Sequence, residues 1–537
     1  MAWTEPQLNP DPKPLPRQTQ HSPLLYSSLL VLISIGYFAG LCNAGPADPA
    51  RLPLLSGQPF IIFWGISDSS CVGRLNPTSF GMEQEGRVAV FYEDSLGNYP
   101  YFLDKNTPVN GGIPQYTRLD AHVQKTKLDL EAALPAPRYL GLGVLRWAEW
   151  VPQWSRNPEK QALYQEASRK LLRSFFPKWT PEEVEKWSQV DFEAAAQSVM
   201  VETLREVKRL RPKALWGFSP YPSCYNSDPA QTQLANYTGQ CPAAEMALND
   251  ELLWLWRRSS ALFPLLTLEK RQGGTEAARS FLSSQIKEAL RIASLAAAEF
   301  DLPVFPLVKS VYASTKTFLS QADLINTIGE SAAMGTAGVV IWNRSEMKTE
   351  RECQDLAVFV RKVLGPYSLN VTTATQSCSA SLCQGKGRCV RQNAESSAYL
   401  HLPAQPSVAE KTTEKAEGAE ATEQPDAGTK AAESDPAEIW KKDFQCQWYK
   451  TADKETSERQ PPKDGVSVGG KAEGSTGNAA ESRAASTTKS ASETMLGGSD
   501  FGGTGRQAAS LEVQTDSVTA PNLHALLLLL GAGFLCL

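Results

Sequence analysis

The chain predicts a (β/α) barrel of parallel strands wrapped by helices, followed by a small cysteine-framed module and a solvated stalk. Three observations carry this. From Phe60 to about Leu364, short apolar runs rich in β-formers alternate with longer amphipathic stretches, the pattern of a parallel sheet covered by helices. The number of alternations favours closure into a barrel over an open sheet. Past Asn370 the composition changes, first to closely spaced cysteines, then to Ala, Glu, Thr, Ser, Gly and Lys with few aromatics.

The ends come first, because they bound the folded part. An apolar run from Leu24 to Leu41 follows a Pro-rich lead carrying Lys13 and Arg17, and precedes Cys42-Asn43-Ala44. Residues 1–44 therefore read as a secretory signal with a small-residue cleavage site before Gly45, an uncleaved signal anchor being the alternative. At the other end, Leu523 to Leu537 is apolar with no basic residue after it, and Ala508, Ala509 and Ser510 lie upstream across a polar spacer. Residues 511–537 read as a signal exchanged for a GPI-type lipid anchor, with a plain tail anchor as the alternative. Together the ends place the protein at the outer cell surface.

Within residues 45–370, Phe60–Trp64 and Val88–Tyr92 are expected strands. Leu119, Val123, Leu130 and Leu134 recur among charges, an amphipathic helix ended by Pro135. Leu142–Leu145 is the next strand. Thr180-Pro-Glu-Glu183 is a capping box with proline at the first helical position, and Asp191 is read as the start of a second helix reaching Leu210. Ala214–Phe218 is a strand, Ser284–Ala298 a helix, Pro303–Val308 a strand, Leu324–Met334 a helix, Gly338–Trp342 a strand and Glu350–Leu364 the closing helix. Residues 371–449 form the module, spaced Cys378-x4-Cys383-x5-Cys389 with the next cysteine at Cys446. The low-complexity insertion within it and residues 450–510 bury too little apolar surface to fold, and read as a solvated spacer.

Composition excludes several function classes. A formal net charge of -5 with no basic stripe gives no footprint for nucleic acid. The histidines, His21, His122, His401 and His524, are scattered and read as surface or tail residues, so no metal site or cofactor is expected. Ten cysteines, less Cys42 and Cys536 in the removable ends, leave an even number for disulfides in an exported chain. Asn236, Asn343 and Asn370 are permitted N-glycosylation acceptors, whereas proline blocks Asn76.

The stretch Leu140–Pro152 stands at a strand-to-loop handover, where such barrels carry their active sites. Alternation along it points Arg146 and Ala148 one way and Trp147 and Glu149 the other.

Phe91-Tyr-Glu-Asp-Ser-Leu-Gly-Asn-Tyr-Pro-Tyr101, Gly111-Gly-Ile-Pro-Gln115, Gly141-Leu-Gly-Val144 with Trp147 and Trp150, and Leu215-Trp-Gly-Phe218 with Pro222 resemble the hyaluronidases of animal cell surfaces and venoms. So do Cys224-Tyr-Asn226, Asn249-Asp250 with Trp254-Leu-Trp256, Gly329-Glu-Ser-Ala-Ala333 and Ala337-Gly-Val-Val340 with Trp342. The resemblance spans roughly Phe60 to Cys446. It implies a distorted TIM-like barrel followed by an EGF-like module, and pairs Cys71 with Cys353, Cys224 with Cys241, Cys378 with Cys389, and Cys383 with Cys446. Trp448 stands where the module's next cysteine would be.

The resemblance also implies a chemistry that this sequence departs from. In that family a glutamate protonates the leaving oxygen of a β-linked N-acetylhexosamine, and an aspartate two residues earlier orients the substrate's own acetamide nucleophile. The matching segment here is Arg146-Trp147-Ala148. Alanine has no proton to give, and arginine neither acts as a general acid nor steadies a cationic sugar. Glu149 is the candidate substitute acid, although alternation aims it away from Ala148's side. Two cleft tyrosines of the family match Ser219 and Thr267, while Tyr99 and Trp342 match its sugar-contacting aromatics, beside Trp147 in the cleft. Asn343, next to Trp342, would carry a glycan at the barrel mouth and narrow the groove.

The reading is a lipid-anchored, hyaluronidase-like glycoprotein that has lost most or all glycosidase activity and keeps a glycan-binding or cell-contact role, with hyaluronan or chondroitin as ligands. The alternatives are an active enzyme cleaving these polymers, and a structural head with no glycan ligand. Oligomeric state is left open by the sequence.

Overall fold

The structure is a computed structural model that describes residues 49–66, 71, 76–84, 86–226, 239–297, 301–313, 315–344, 349–402 and 436–450. The expected signal, stalk and anchor segments lie outside these residues, as do His21, Asn236 and His524.

Seven parallel strands among the described residues surround one interior: β1 (Ile61–Trp64), β2 (Val88–Phe91), β5 (Leu142–Arg146), β6 (Leu215–Ser219), β7 (Leu265–Leu266), β8 (Leu307–Lys309) and β9 (Gly338–Trp342). They form two arcs, β2-β5-β6 and β7-β8-β9-β1. One seam is bridged by hydrogen bonds from Ser260 N–H to Trp216 C=O (2.7 Å) and Phe263 N–H to Tyr221 C=O (3.3 Å). The other is bridged by Glu83, which pairs with Phe63 on β1. An antiparallel hairpin, β3 (Tyr101–Asp104) with β4 (Thr107–Val109), is inserted after β2.

Alternation sorts each strand between two cores. Ile61, Phe63, Leu142, Val144, Leu215, Phe263, Phe305, Leu307, Val340 and Trp342 fill the interior. Their neighbours face the helices: Leu145 and Trp147 join one outer cluster, Ile62, Trp64, Val308 and Ile341 the other. Gly143 on β5 is required because the Trp216 ring lies across it, where a Cβ would fall 2.2 Å from the indole.

The helices match the expected positions with informative exceptions. Leu119–Ala133 is helical, and the Thr180 capping box forms with Glu183. Asp191, however, starts nothing. It lies inside one unbroken helix, Pro181–Leu210, whose buried face runs through Val184, Ser188 and Phe192. The helix expected from Ser284 begins earlier, at Glu276, where the Thr275 hydroxyl accepts from Ala278 N–H. The strand expected over Pro303–Val308 shrinks to three residues, because prolines at 303 and 306 remove ladder donors. Ladder bonds of β7 extend over just two residues, below any periodicity signal.

The closing helix does not stop at Leu364. Glu350–Phe359 passes through a π-helical turn, Val360–Leu364, into Gly365–Leu382. Residue 370, the expected domain boundary, therefore sits mid-helix, and Cys378 belongs to that helix. Beyond it β10 (Gly387–Arg391) pairs antiparallel with β11 (Phe444–Trp448). The four disulfides are Cys71–Cys353, Cys224–Cys241, Cys378–Cys389 and Cys383–Cys446, the pairs implied by the resemblance.

Candidate active site at the barrel mouth

The inward-facing residue at the end of each strand builds the floor of the mouth. β5 ends in Arg146, β6 in Ser219, β8 in Lys309 and β9 in Trp342, with Tyr92 following β2 and Thr267 following β7. Arg146 pairs with Ser219 in the β5–β6 register, and Lys309 with Trp342 in the β8–β9 register.

Arg146 reaches across the floor. Its guanidinium carbon lies 5.3 Å from the centre of the Trp342 ring. Nη1 donates to the Ser219 carbonyl at a long 3.5 Å, and Nε is buried with no hydrogen-bond partner. Burial lowers its pKa, opposed by Tyr221, Tyr92, Glu93 and Glu149. Trp342 is only 8% exposed, and its Nε1–H donates to the Tyr92 hydroxyl at 2.9 Å. One face of the ring is thus taken by a cation rather than left open to a sugar.

Two carboxylates stand near. Glu93 is engaged by Arg344 at 2.6 Å, and that guanidinium also covers the Tyr92 ring. Glu149 is half-buried, and its pKa is raised, first by burial and then by Glu93. Strand alternation does not extend to Glu149. The strand ends at Arg146, and beyond it Ala148 and Glu149 line one cavity of about 690 Å³ with Phe102, Lys105, Lys160 and Tyr164.

Two expected cleft aromatics sit beneath the mouth instead. Tyr99 is fully buried between Trp147 (ring centres 4.4 Å) and Trp150 (5.1 Å), and its hydroxyl has no partner. Trp147 faces outward from β5 and packs on Phe218, donating to the Tyr92 carbonyl. Ser219 is buried with its hydroxyl unpaired, whereas Thr267 is half-buried. The sequence reading missed Tyr92, Glu93, Lys309 and Arg344. For Lys309 a signal existed, a lone cation closing an apolar strand at the face where barrels do chemistry.

Asn343 is half-buried and lines a second cavity of about 460 Å³ at the ends of β8 and β9, with Lys309, Lys316, Arg344 and Arg351. Asn370 sits on Gly365–Leu382, its Oδ1 accepting from Leu402 N–H at 3.1 Å. Histidines expected at the surface are not there. His122 is fully buried, and His401 is half-buried against Tyr367.

The hyaluronidase family model matches residues 49–461. The chain belongs to the hyaluronidase family. Mouse hyaluronidase-2 is 40% identical over 385 residues, covering 70% of this chain and 81% of the relative. Human hyaluronidase-2 is 41% identical over 366 residues, covering 66% and 77%. Among solved structures, bee venom hyaluronidase matches with a TM-score of 0.53 at 29% identity over 58% of this chain and 99% of its own. Its complex with a hyaluronic acid tetramer matches with a TM-score of 0.53 at 30% identity, covering 57% and 98%.

Proposed function

We propose that this hyaluronidase-family protein is a cell-surface glycoprotein that binds an acidic glycan such as hyaluronan or chondroitin and has lost most or all ability to hydrolyse it. The observation that carries the reading is the exit of β5, where Arg146 and Ala148 occupy the positions that the resemblance gives to the stabilising aspartate and the acid glutamate. Removing a positioned general acid alone costs about two to four orders of magnitude in rate. A cation in the aspartate's place also opposes the oxocarbenium-like charge of the transition state. Ser219 and Thr267 remove two further polar partners from the same floor.

Surface location rests on the apolar segments at both ends and is supported by four disulfides. A GPI-type anchor, a stalk of residues 450–510 and an EGF-like character for the β10–β11 unit complete the reading. The half-buried position of Asn343 beside the 460 Å³ cavity supports a glycan that narrows the mouth. Mass spectrometry finding Asn343 unmodified would remove that element.

One observation favours a second reading, an active endo-β-N-acetylhexosaminidase. Glu149 shares a cavity with Ala148, and burial raises its pKa toward that of a working acid. The deciding experiment assays hyaluronan and chondroitin degradation by the full chain from acidic to neutral pH, beside the Arg146→Asp, Ala148→Glu double variant. No cleavage by the parent with some regained by the variant supports the binding reading. Clear cleavage by the parent, abolished in Glu149→Gln, establishes the enzyme.

A further inference from the structure

Resting on the glycan-binding reading, we infer that Arg146, which lies over Trp342, and Lys309, the register partner of Trp342 on β8, receive the carboxylate of a uronic acid residue. A guanidinium carries five N–H donors, yet Arg146 makes one hydrogen bond, at 3.5 Å, and its Nε is buried without a partner. Among the described residues no carboxylate pairs with it. Glu93 is engaged by Arg344, and Glu149 influences Arg146 without bonding to it.

A half-buried guanidinium whose Nε is sealed off without a partner is costly, and an anion with two acceptor oxygens would offset that cost. Lys309 supplies a second cation at the end of the neighbouring strand. It is the Cα partner of Trp342, lines the 460 Å³ cavity at the ends of β8 and β9, and its side chain makes no hydrogen bond or ion pair among the described residues. The planar fork of Arg146 suits a carboxylate, which it can hold through two parallel bonds, and a lysine adds a mobile point charge beside it.

The geometry also turns the family's preference around. The floor position that would orient a neutral acetamide next to an acid becomes a cationic seat. Neutral sugars lose the open face of Trp342 to Arg146, whereas acidic sugars gain a counter-charge. Specificity then comes from the acidic sugar of the polymer rather than its N-acetylhexosamine, and no bond is broken.

The test measures binding of a fluorescent hyaluronan oligosaccharide and of its carboxyl-reduced counterpart to the full chain, Arg146→Gln and Lys309→Gln, with thermal melts checking that each variant folds. The expected result is a preference of roughly tenfold or more for the native oligosaccharide, the size of a charge-assisted hydrogen bond. Arg146→Gln loses most of that preference and Lys309→Gln part of it, each still binding the reduced sugar weakly. Binding of both sugars equally by the parent, or an unchanged preference in either folded variant, overturns this inference and leaves glycan binding standing. If neither sugar binds the parent, the glycan-binding reading falls, and this inference with it.

Discussion

Arg391 holds Glu330 through two parallel hydrogen bonds, Nη1 to Oε1 at 3.0 Å and Nη2 to Oε2 at 2.9 Å, with both side chains almost completely buried. Arg391 ends β10, and Glu330 lies on the helical segment leading to β9, so this pair ties the disulfide-framed unit to the barrel. Removing Arg391 leaves the buried Glu330 with a longer contact to Arg279, at 3.8 Å, in its place. Arg391→Ala is expected to cost about 3–5 kcal/mol, while Arg391→Met combined with Glu330→Leu costs less than the single change. Denaturant unfolding of the three proteins checks the order.

His122 makes stability depend on pH. Its Nδ1 accepts from Asn98 N–H at 3.0 Å, and Nε2 contacts the Thr203 hydroxyl at 2.8 Å. Protonating Nδ1 would set a donor against a donor, and burial already lowers the pKa to about 4. Because the folded value lies below the unfolded value of about 6.5, the unfolded chain binds the extra proton first. The contribution is full above about pH 6.5 and lost as pH falls toward 4, to a total of about 3 kcal/mol. Melting temperature against pH should fall in this window, and His122→Gln should flatten that part of the curve.

Gly143 is a second packing constraint. Adding a methyl group drives it into the Trp216 ring, so Gly143→Ala is expected to destabilise by about 1–3 kcal/mol or more. Pairing it with Trp216→Leu should recover part of the loss, a coupling that a double-mutant cycle reads directly.

Thr180 caps the 30-residue helix Pro181–Leu210. Its hydroxyl accepts from Glu183 N–H while the Glu183 carboxylate accepts from Thr180 N–H. Thr180→Ala should cost about 1 kcal/mol and Thr180→Ser nearly nothing, as read from thermal unfolding.

Much of this was legible before any coordinate. Capping chemistry and β/α alternation are local, so Thr180, the Leu119–Ala133 helix and strands β1, β2, β5, β6 and β9 could be read from spacing alone. Asp191 misled because a capping residue type also tolerates a helix interior when its side chain faces outward. The closing helix was underrun at Leu364 because the turn of composition near Asn370 is a change in function of the chain, not a break in its backbone.

The sequence by itself determined the parallel-strand architecture and the presence of Arg146 and Ala148 at the exit of β5, since residue identity and periodicity are properties of the chain. Tertiary structure alone decided which residues reach the mouth. Strand alternation governs direction only as far as Arg146. Beyond it the fold turns Ala148 and Glu149 into one cavity and buries Tyr99 between Trp147 and Trp150. It also seals His122 inside, although nothing adjacent to it in sequence marks it as a core residue. The physical reason is that burial depends on side chains brought together from distant segments, and those contacts leave no periodicity behind.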